Sequence, residues 1–386
     1  MPSQVENWQR GGFGLYLHWP FCQAKCPYCD FNSYVSQSIN EQDWRDTYFT
    51  EIDRYAAETE GRVLTSIFFG GGTPSLMSPT LVSDIIAKIR DSWTCANDIE
   101  ITLEANPSSV EAERFEGYAK AGVNRVSMGV QSFDDDHLRQ LGRLHTAKEA
   151  REAITIAKQQ FSRFSFDLIY ARQNQSLAHW EAELSEALAL QPSHLSLYQL
   201  TIENGTAFGD RHARGKLHGL PDDELAADMY FLTQKMTGTA GLDAYEISNH
   251  AKPGEESLHN LIYWRGGDYL GIGPGAHGRI TSDLGRIATE TELSPTAWIE
   301  KVQTSGSGET VREVLTTDEI TSETIMMSLR LREGIARERL LGGMYNLSNN
   351  INILVDSGHL ISEKDCLRIP DQHRPITNAI LREILD

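Results

Sequence analysis

Short apolar or alternating runs recur along the first two thirds of the chain, each followed by a longer stretch whose apolar positions return every three to four residues. GLYLHW (14–19), SIFF (66–69), IEITLE (99–104), RVSMG (125–129), FSFDLIY (164–170) and HLSLYQL (194–200) read as strands. Residues 44–59, 80–92, 110–121, 147–160 and 177–190 between them carry helical spacing. Repeated strand-then-helix order calls for parallel strands with right-handed crossovers, and six strands for an α/β fold built on a partial (β/α)6 barrel. Functional groups in such a barrel gather where strands end, so each polar motif has a positional test.

Beyond residue 206 the alternation weakens. Residues 208–221, rich in Arg, His and Gly, read as a loop, and 222–240 as a helix. Residues 258–279 are Gly-dense and aromatic with no regular period. A helix at 295–304 and a polar linker at 305–309 lead to helices at 317–332, 336–345 and 349–357. A short hairpin (360–361 with 367–369) and a last helix follow. The expected division is a barrel over 1–205, a connecting region over 206–305, and a winged-helix-like α+β domain over 306–386. Modules of that kind often bind DNA, but this one has no basic excess, which favours a structural or lid role.

Composition narrows the function classes. The chain has 386 residues with 35 Lys+Arg against 54 Asp+Glu, a formal charge of −19, which argues against a nucleic-acid partner. No apolar run approaches the ~18–20 residues a membrane helix needs, and the N-terminus lacks the apolar core of a signal peptide. A cytoplasmic protein without stable membrane insertion is expected. An anionic ligand would have to be met by local cations rather than by the field of the whole protein.

Five cysteines are present, and three of them, Cys22, Cys26 and Cys29, lie within eight residues. Clustered thiols in a reducing compartment are more often metal ligands than disulfides. The loop that carries them follows directly on the first strand, so it sits at the functional face. Three thiolates can hold three irons of a 4Fe–4S cube, leaving the fourth iron open to an exogenous ligand. A zinc site is the alternative; it would want a fourth ligand, for which His18 is the nearby candidate. Cys95 and Cys366 are isolated and carry no assigned chemistry.

More polar residues sit at strand ends. Gly70-Gly71-Gly72-Thr73-Pro74 ends the second strand, where glycines allow a ligand close to the backbone. Glu104 ends the third and Gln131 the fourth, Arg143 follows in LGRLH, and Asp167 lies on the fifth.

Cys-x-x-x-Cys-x-x-Cys after a first strand, with Tyr28 before the last Cys, resembles the radical S-adenosylmethionine (SAM) superfamily. The longer run LYLHWPFCQAKCPYCDFNSY is similar to the oxygen-independent coproporphyrinogen III oxidase group, and the resemblance covers nearly the whole chain. It implies a 4Fe–4S cluster on Cys22, Cys26 and Cys29, with SAM chelating the open iron through its methionyl amine and carboxylate. It further implies SAM contacts by Tyr16, Gly71, Gly72, Thr73, Glu104, Gln131, Arg143 and Asp167. One departure falls beside that site: relatives usually follow DLIY with a Gly-Leu-Pro-like turn and a Gln, whereas this chain reads Ala171-Arg172-Gln173-Asn174-Gln175.

Two branches of the group are distinguishable. The oxidases carry a further Cys two positions after the third ligand and an N-terminal extension; here that position is Phe31, and the first strand begins near residue 14. His259-Asn260-Leu261-Ile262-Tyr263-Trp264 matches the His-Asn-x-x-Tyr-Trp motif of the heme-chaperone branch, a motif that oxidase-like relatives share. The resemblance therefore implies heme bound at His259, Asn260, Tyr263 and Trp264, apo-hemoprotein recipients, and a homodimer. Oxidative decarboxylation of coproporphyrinogen III is the alternative. His18, His250 and His277 are other candidate heme ligands, and Arg265, Arg279 and the Arg211–Arg214 loop candidate partners for its propionates.

Overall fold

The computed structural model describes residues 7–36, 39–340 and 347–385. Six strands, β1 (Phe13–Trp19), β2 (Val63–Gly71), β3 (Thr94–Ala105), β4 (Arg125–Gln131), β5 (Arg163–Tyr170) and β6 (His194–Gln199), lie parallel and side by side in chain order. This is the succession expected from the apolar runs. Leu15, Leu17, Ile67, Phe69, Ile101, Leu103, Phe166 and Leu168 share one core with Ile52, Ile85, Ile154 and Leu184 of the crossover helices. Alternate side chains therefore face the barrel interior, among them Tyr16, Phe68, Glu104, Ser127, Asp167 and Ser196.

The crossover helices begin where short polar side chains cap them. Ser78 accepts from the Leu81 N–H ahead of Pro79–Ser92, and Thr146 forms a reciprocal capping box with Glu149 ahead of Ala147–Gln160. The helix expected over 110–121 is split into Ser109–Ala112 and Phe115–Ala121. At the break, Arg114 Nη1 donates to the carbonyls of Ser75 and Leu76, both at 3.1 Å.

Six further strands extend the sheet: β7 (Asp243–Ala244), β8 (Asn249–Ala251), β9 (Asp268–Ile272), β10 (His277–Ser282), β11 (Gly285–Thr291) and β12 (Glu309–Val314). The order is β12-β11-β10-β9-β1-β2-β3-β4-β5-β6-β8-β7, with β9 parallel to β1 and β8 antiparallel to β6. Residues 206–305 thus contribute strands on both sides of the six-stranded array. The stretch 258–279 holds helix Leu258–Trp264, then β9 and the start of β10. A seven-residue helix is too short to display a period, and β9 is largely buried on both faces, which removes alternation. The loop expected over 208–221 begins instead with helix Ala207–Ala213, capped by Thr206. Phe208 of this helix is buried with Leu141 and Ile169. The linker expected at 305–309 runs into β12.

The C-terminal module has its own apolar core, including Ile325, Leu329, Ile351, Leu367 and Ile380. Helices Thr317–Ser328, Leu347–Asp356 and Thr377–Leu385 pack with a three-stranded sheet of Ile335–Ala336, Cys366–Arg368 and Ile361–Glu363. The helix expected over 336–345 is replaced at its start by a 3₁₀ turn, Arg337–Arg339; residues 341–346 lie outside the described residues.

Candidate cofactor site

The cysteine loop is held at both ends. Phe21–Cys22 pairs in parallel with Tyr34–Val35, the Cys29 N–H donates to the Cys26 carbonyl at 3.1 Å, and Asn32 Nδ2 donates to the carbonyls of Pro274 and Leu293, each at 2.9 Å. Helix Ala207–Ala213 adds a strut, the Phe208 N–H donating to the Pro27 carbonyl at 2.9 Å. Gly142 closes against the same proline, since a Cβ there would lie 2.6 Å from Pro27 Cδ. His18 is not available as a metal ligand. Its Nδ1 meets the Tyr16 hydroxyl and its Nε2 the Asn32 carbonyl, both at 2.9 Å, and burial holds its pKa below the usual range.

All three thiols open onto one cavity of about 440 Å³ at the C-terminal ends of the barrel strands, together with Gly71, Gly72, Thr73, Glu104, Gln131, Arg143 and Asp167. Burial pushes the thiol pKa values of Cys22 and Cys29 upward. Arg143 Nη1 points at Cys26 Sγ from 3.4 Å, which sets a cation beside the cysteine loop. Among the described residues no three His, Cys, Asp or Glu side chains converge as ligands of one metal ion do. A 4Fe–4S cube, with irons at alternate corners, spreads its thiolates more widely than a single tetrahedral ion.

The glycine turn is forced by contact. Gly71 has φ 110°, and a Cβ on it would fall 2.6 Å from the His18 ring; one on Gly72 would fall 2.7 Å from the Phe21 carbonyl oxygen. The backbone donors of the turn are already used. Gly71 N–H serves Glu104 Oε2 (3.1 Å), Gly72 N–H the Trp19 carbonyl (2.7 Å) and Thr73 N–H the Phe21 carbonyl (2.8 Å). A ligand there meets acceptors rather than donors, which suits an ammonium group.

Two carboxyl groups recess into the same cavity. Burial, reinforced by the charge of Asp167, pushes Glu104 up to about 8, and burial pushes Asp167 up to about 7. Tyr16, expected to contact the cofactor, is not on the cavity wall: it lies deeper in the barrel with its hydroxyl on His18. Asn106 is a member the sequence reading missed. It receives Arg143 Nη2 at 2.6 Å and donates to Thr73 Oγ1 at 3.3 Å, so it joins the arginine to the glycine turn. Its place two residues after Glu104, just past a strand end, was the available signal.

The His-Asn-x-x-Tyr-Trp motif is divided by the fold. His259 is 1% exposed, stacks on Phe68 with centroids 4.8 Å apart, and spends Nδ1 on Ser66 Oγ (2.9 Å) and Nε2 on the Tyr263 hydroxyl (2.8 Å). Burial drives its pKa down to about 3. Contrary to expectation, it offers no free nitrogen to a heme iron. Asn260, Tyr263 and Trp264 instead line a second cavity, about 420 Å³, between the barrel and the C-terminal module. Tyr198, 41% exposed, lies on the wall of both cavities.

Residues 16–186 match the model of the radical SAM superfamily. The chain is 38% identical to the heme chaperone HemW of Haemophilus influenzae, over 96% of this chain and 97% of that one. The chain belongs to the radical SAM superfamily, in the HemW family. HemW of Escherichia coli is 44% identical over 72% of this chain and 73% of its own. The mitochondrial radical S-adenosyl methionine domain-containing protein 1 of Danio rerio is 36% identical over 96% and 86%. Among solved structures, coproporphyrinogen III oxidase (HemN) from Escherichia coli superposes with a TM-score of 0.80 at 20% identity, covering 96% of this chain and 89% of that one, which shows a shared fold.

Superfamily membership implies SAM and a 4Fe–4S cluster, and the donor set accommodates both: three thiols on one wall, acceptors at the glycine turn, and Arg143 between them. Ala171 takes φ 57°, the left-handed backbone that a glycine would adopt without strain.

Proposed function

We propose that the protein is a heme chaperone, binding heme and passing it to apo-hemoproteins such as respiratory cytochromes, with a 4Fe–4S cluster and SAM at the barrel mouth. The observation that carries this reading is the 38% identity to HemW of Haemophilus influenzae along nearly the full length of both chains. Cys22, Cys26 and Cys29 are the cluster ligands, and the cluster supplies an open iron for the amine and carboxylate of SAM. The acceptors of the Gly71–Thr73 turn receive the ammonium. Glu104 and Asp167 face the cationic and hydroxyl-bearing parts of the cofactor, while Asn106 holds Arg143 in place beside Cys26. The compartment proposed is the cytoplasm, which keeps the three thiols reduced.

The oxidase reading has the shared fold in its favour. Against it stands Phe31, 58% exposed on the wall of the cysteine cavity at the position where the oxidases carry a further cysteine.

Anaerobic reconstitution followed by heme titration and transfer to an apo-cytochrome tests the proposal, with coproporphyrinogen III and SAM supplied in a parallel reaction. Heme uptake and transfer without porphyrinogen conversion is the expected result. Decarboxylated product would establish the oxidase instead, and absence of heme uptake would sink the chaperone reading. Replacing any one of Cys22, Cys26 or Cys29 by Ala is expected to abolish the iron–sulfur absorbance; retained iron would contradict the ligand assignment.

A further inference from the structure

The arginines that the sequence nominated for anionic groups of a ligand are partly spent. Arg265 is held by both oxygens of Glu333 at 2.8 and 2.9 Å, and Arg279 Nε by Glu323 at 2.8 Å. Two other arginines line the second cavity under different conditions. Among the described residues Arg330 donates only to neutral acceptors, the Met326 carbonyl at 3.0 Å and Asn378 Oδ1 at 2.9 Å. Arg374 is 3% exposed. Among the described residues it donates Nη2 to the Arg330 carbonyl at 2.7 Å, its Nε and Nη1 make no hydrogen bond, and the Tyr230 hydroxyl stands nearby.

Neither guanidinium forms an ion pair among the described residues. Arg332, two positions after Arg330, is by contrast bridged to both Asp243 and Asp371. A buried guanidinium without a counter-charge is costly, and the cost is relieved when a ligand brings an anion. The acid in this cavity, Glu246, makes no ion pair with either guanidinium: its carboxylate accepts from the backbone N–H groups of Ser248 and Asn249 and reaches Arg330 only as a nearby charge. On the same cavity the fold presents flat and apolar surface from Tyr263, Trp264 and Met327, and the Trp264 Nε1–H has no partner among the described residues. Cationic and aromatic surfaces thus face one space between two packed modules, a common setting for a ligand site.

We propose that the second cavity receives the carboxylate-bearing edge of heme, with Arg330 and Arg374 as the partners of its carboxylates and Tyr263 and Trp264 against the macrocycle. The proposal rests on the heme-chaperone reading and deepens it: the motif acts through Asn260, Tyr263 and Trp264 at the module junction, and His259 supports them from beneath. Tyr198, on the wall shared with the cysteine cavity, makes the two sites neighbours.

The test is a comparison of ligands on the intact, cluster-reconstituted protein: heme against heme whose two propionates are esterified, each titrated by its Soret band. Wild type is expected to bind heme at least about tenfold more tightly than the diester, the effect of losing charge-assisted hydrogen bonds. Arg330→Gln and Arg374→Gln are each expected to weaken heme binding by about the same factor and to leave the diester affinity nearly unchanged. Equal binding of heme and diester by wild type overturns the site while the chaperone reading survives. No heme uptake by wild type overturns both. The diester comparison needs no variant, and Arg330→Gln places the charge in this cavity even where Arg374→Gln does not fold.

Discussion

Arg172 Nη1 donates to the carbonyl of Gln131 at 3.2 Å, tying the turn after β5 to the left-handed residue that ends β4. Arg172 is 3% exposed and paired with Glu183, whose carboxylate also accepts from Ser132 Oγ at 2.6 Å and the Phe133 N–H at 2.8 Å. One buried ion pair therefore shapes the cavity rim at two strand ends. Arg172→Met would leave Glu183 buried without its cation and is expected to cost about 3–5 kcal/mol in denaturant unfolding. Adding Glu183→Gln should restore part of that stability. SAM affinity, measured by calorimetry, should stay low in both variants because the Gln131 carbonyl has lost its donor.

Ala171 pays for a backbone conformation that suits glycine, with φ 57°. Ala171→Gly is expected to raise the unfolding free energy by about 1 kcal/mol, the left-handed strain exceeding the entropy glycine adds to the unfolded chain. A thermal melt that shifts downward would show that the Ala171 methyl, buried in the main core, matters more than the strain.

Glu104 and Asp167 have folded pKa values raised to about 8 and about 7. Groups with raised values favour the folded chain while protonated. Their contribution is complete below the unfolded carboxyl pKa, about 4, and is lost as pH rises through 7 and 8. The SAM-free protein should therefore lose stability between about pH 4 and 8, the interval from the unfolded to the folded pKa values, and Glu104→Gln with Asp167→Asn should flatten that slope. SAM, being cationic, favours the ionised carboxylates, so its affinity should rise over the same interval. Denaturation and calorimetry across the pH series measure both.

His259 is a structural residue in this barrel, and its replacement should behave accordingly. His259→Ala leaves the Ser66 and Tyr263 hydroxyls without their shared partner and opens a cavity beside Phe68. A loss of about 2–4 kcal/mol is expected. In the milder His259→Gln, the Soret maximum of heme bound to folded protein should match wild type. A shifted band would mean that His259 reaches the iron after a rearrangement.

Much of the scaffold was legible from local pattern. The strands from GLYLHW to HLSLYQL lie where their apolar runs placed them, because each packs one face into a core whose other wall is the crossover helices. Strand ends then located Gly71, Gly72, Thr73, Glu104, Gln131, Arg143 and Asp167, which do share one cavity with the three cysteines. Asn106 was within reach of the same reasoning. Helix Ala207–Ala213 and strand β9 were not, because one is short and the other is buried on both faces.

By itself, the sequence determined the order of strands and helices, the cysteine loop and its position after β1, since these follow from periodicity and spacing along the chain. The tertiary structure decided what each side chain faces. It turned Tyr16 and His259 inward onto His18, Ser66 and Tyr263, it paired Arg265 and Arg279 with glutamates, and it left Arg330 and Arg374 without an ion pair among the described residues. The reason is distance in sequence. Whether a histidine is a ligand or an arginine is free depends on partners tens to hundreds of residues away, such as Ser66 for His259 at a separation of 193, and no local pattern records which partners the fold will bring together.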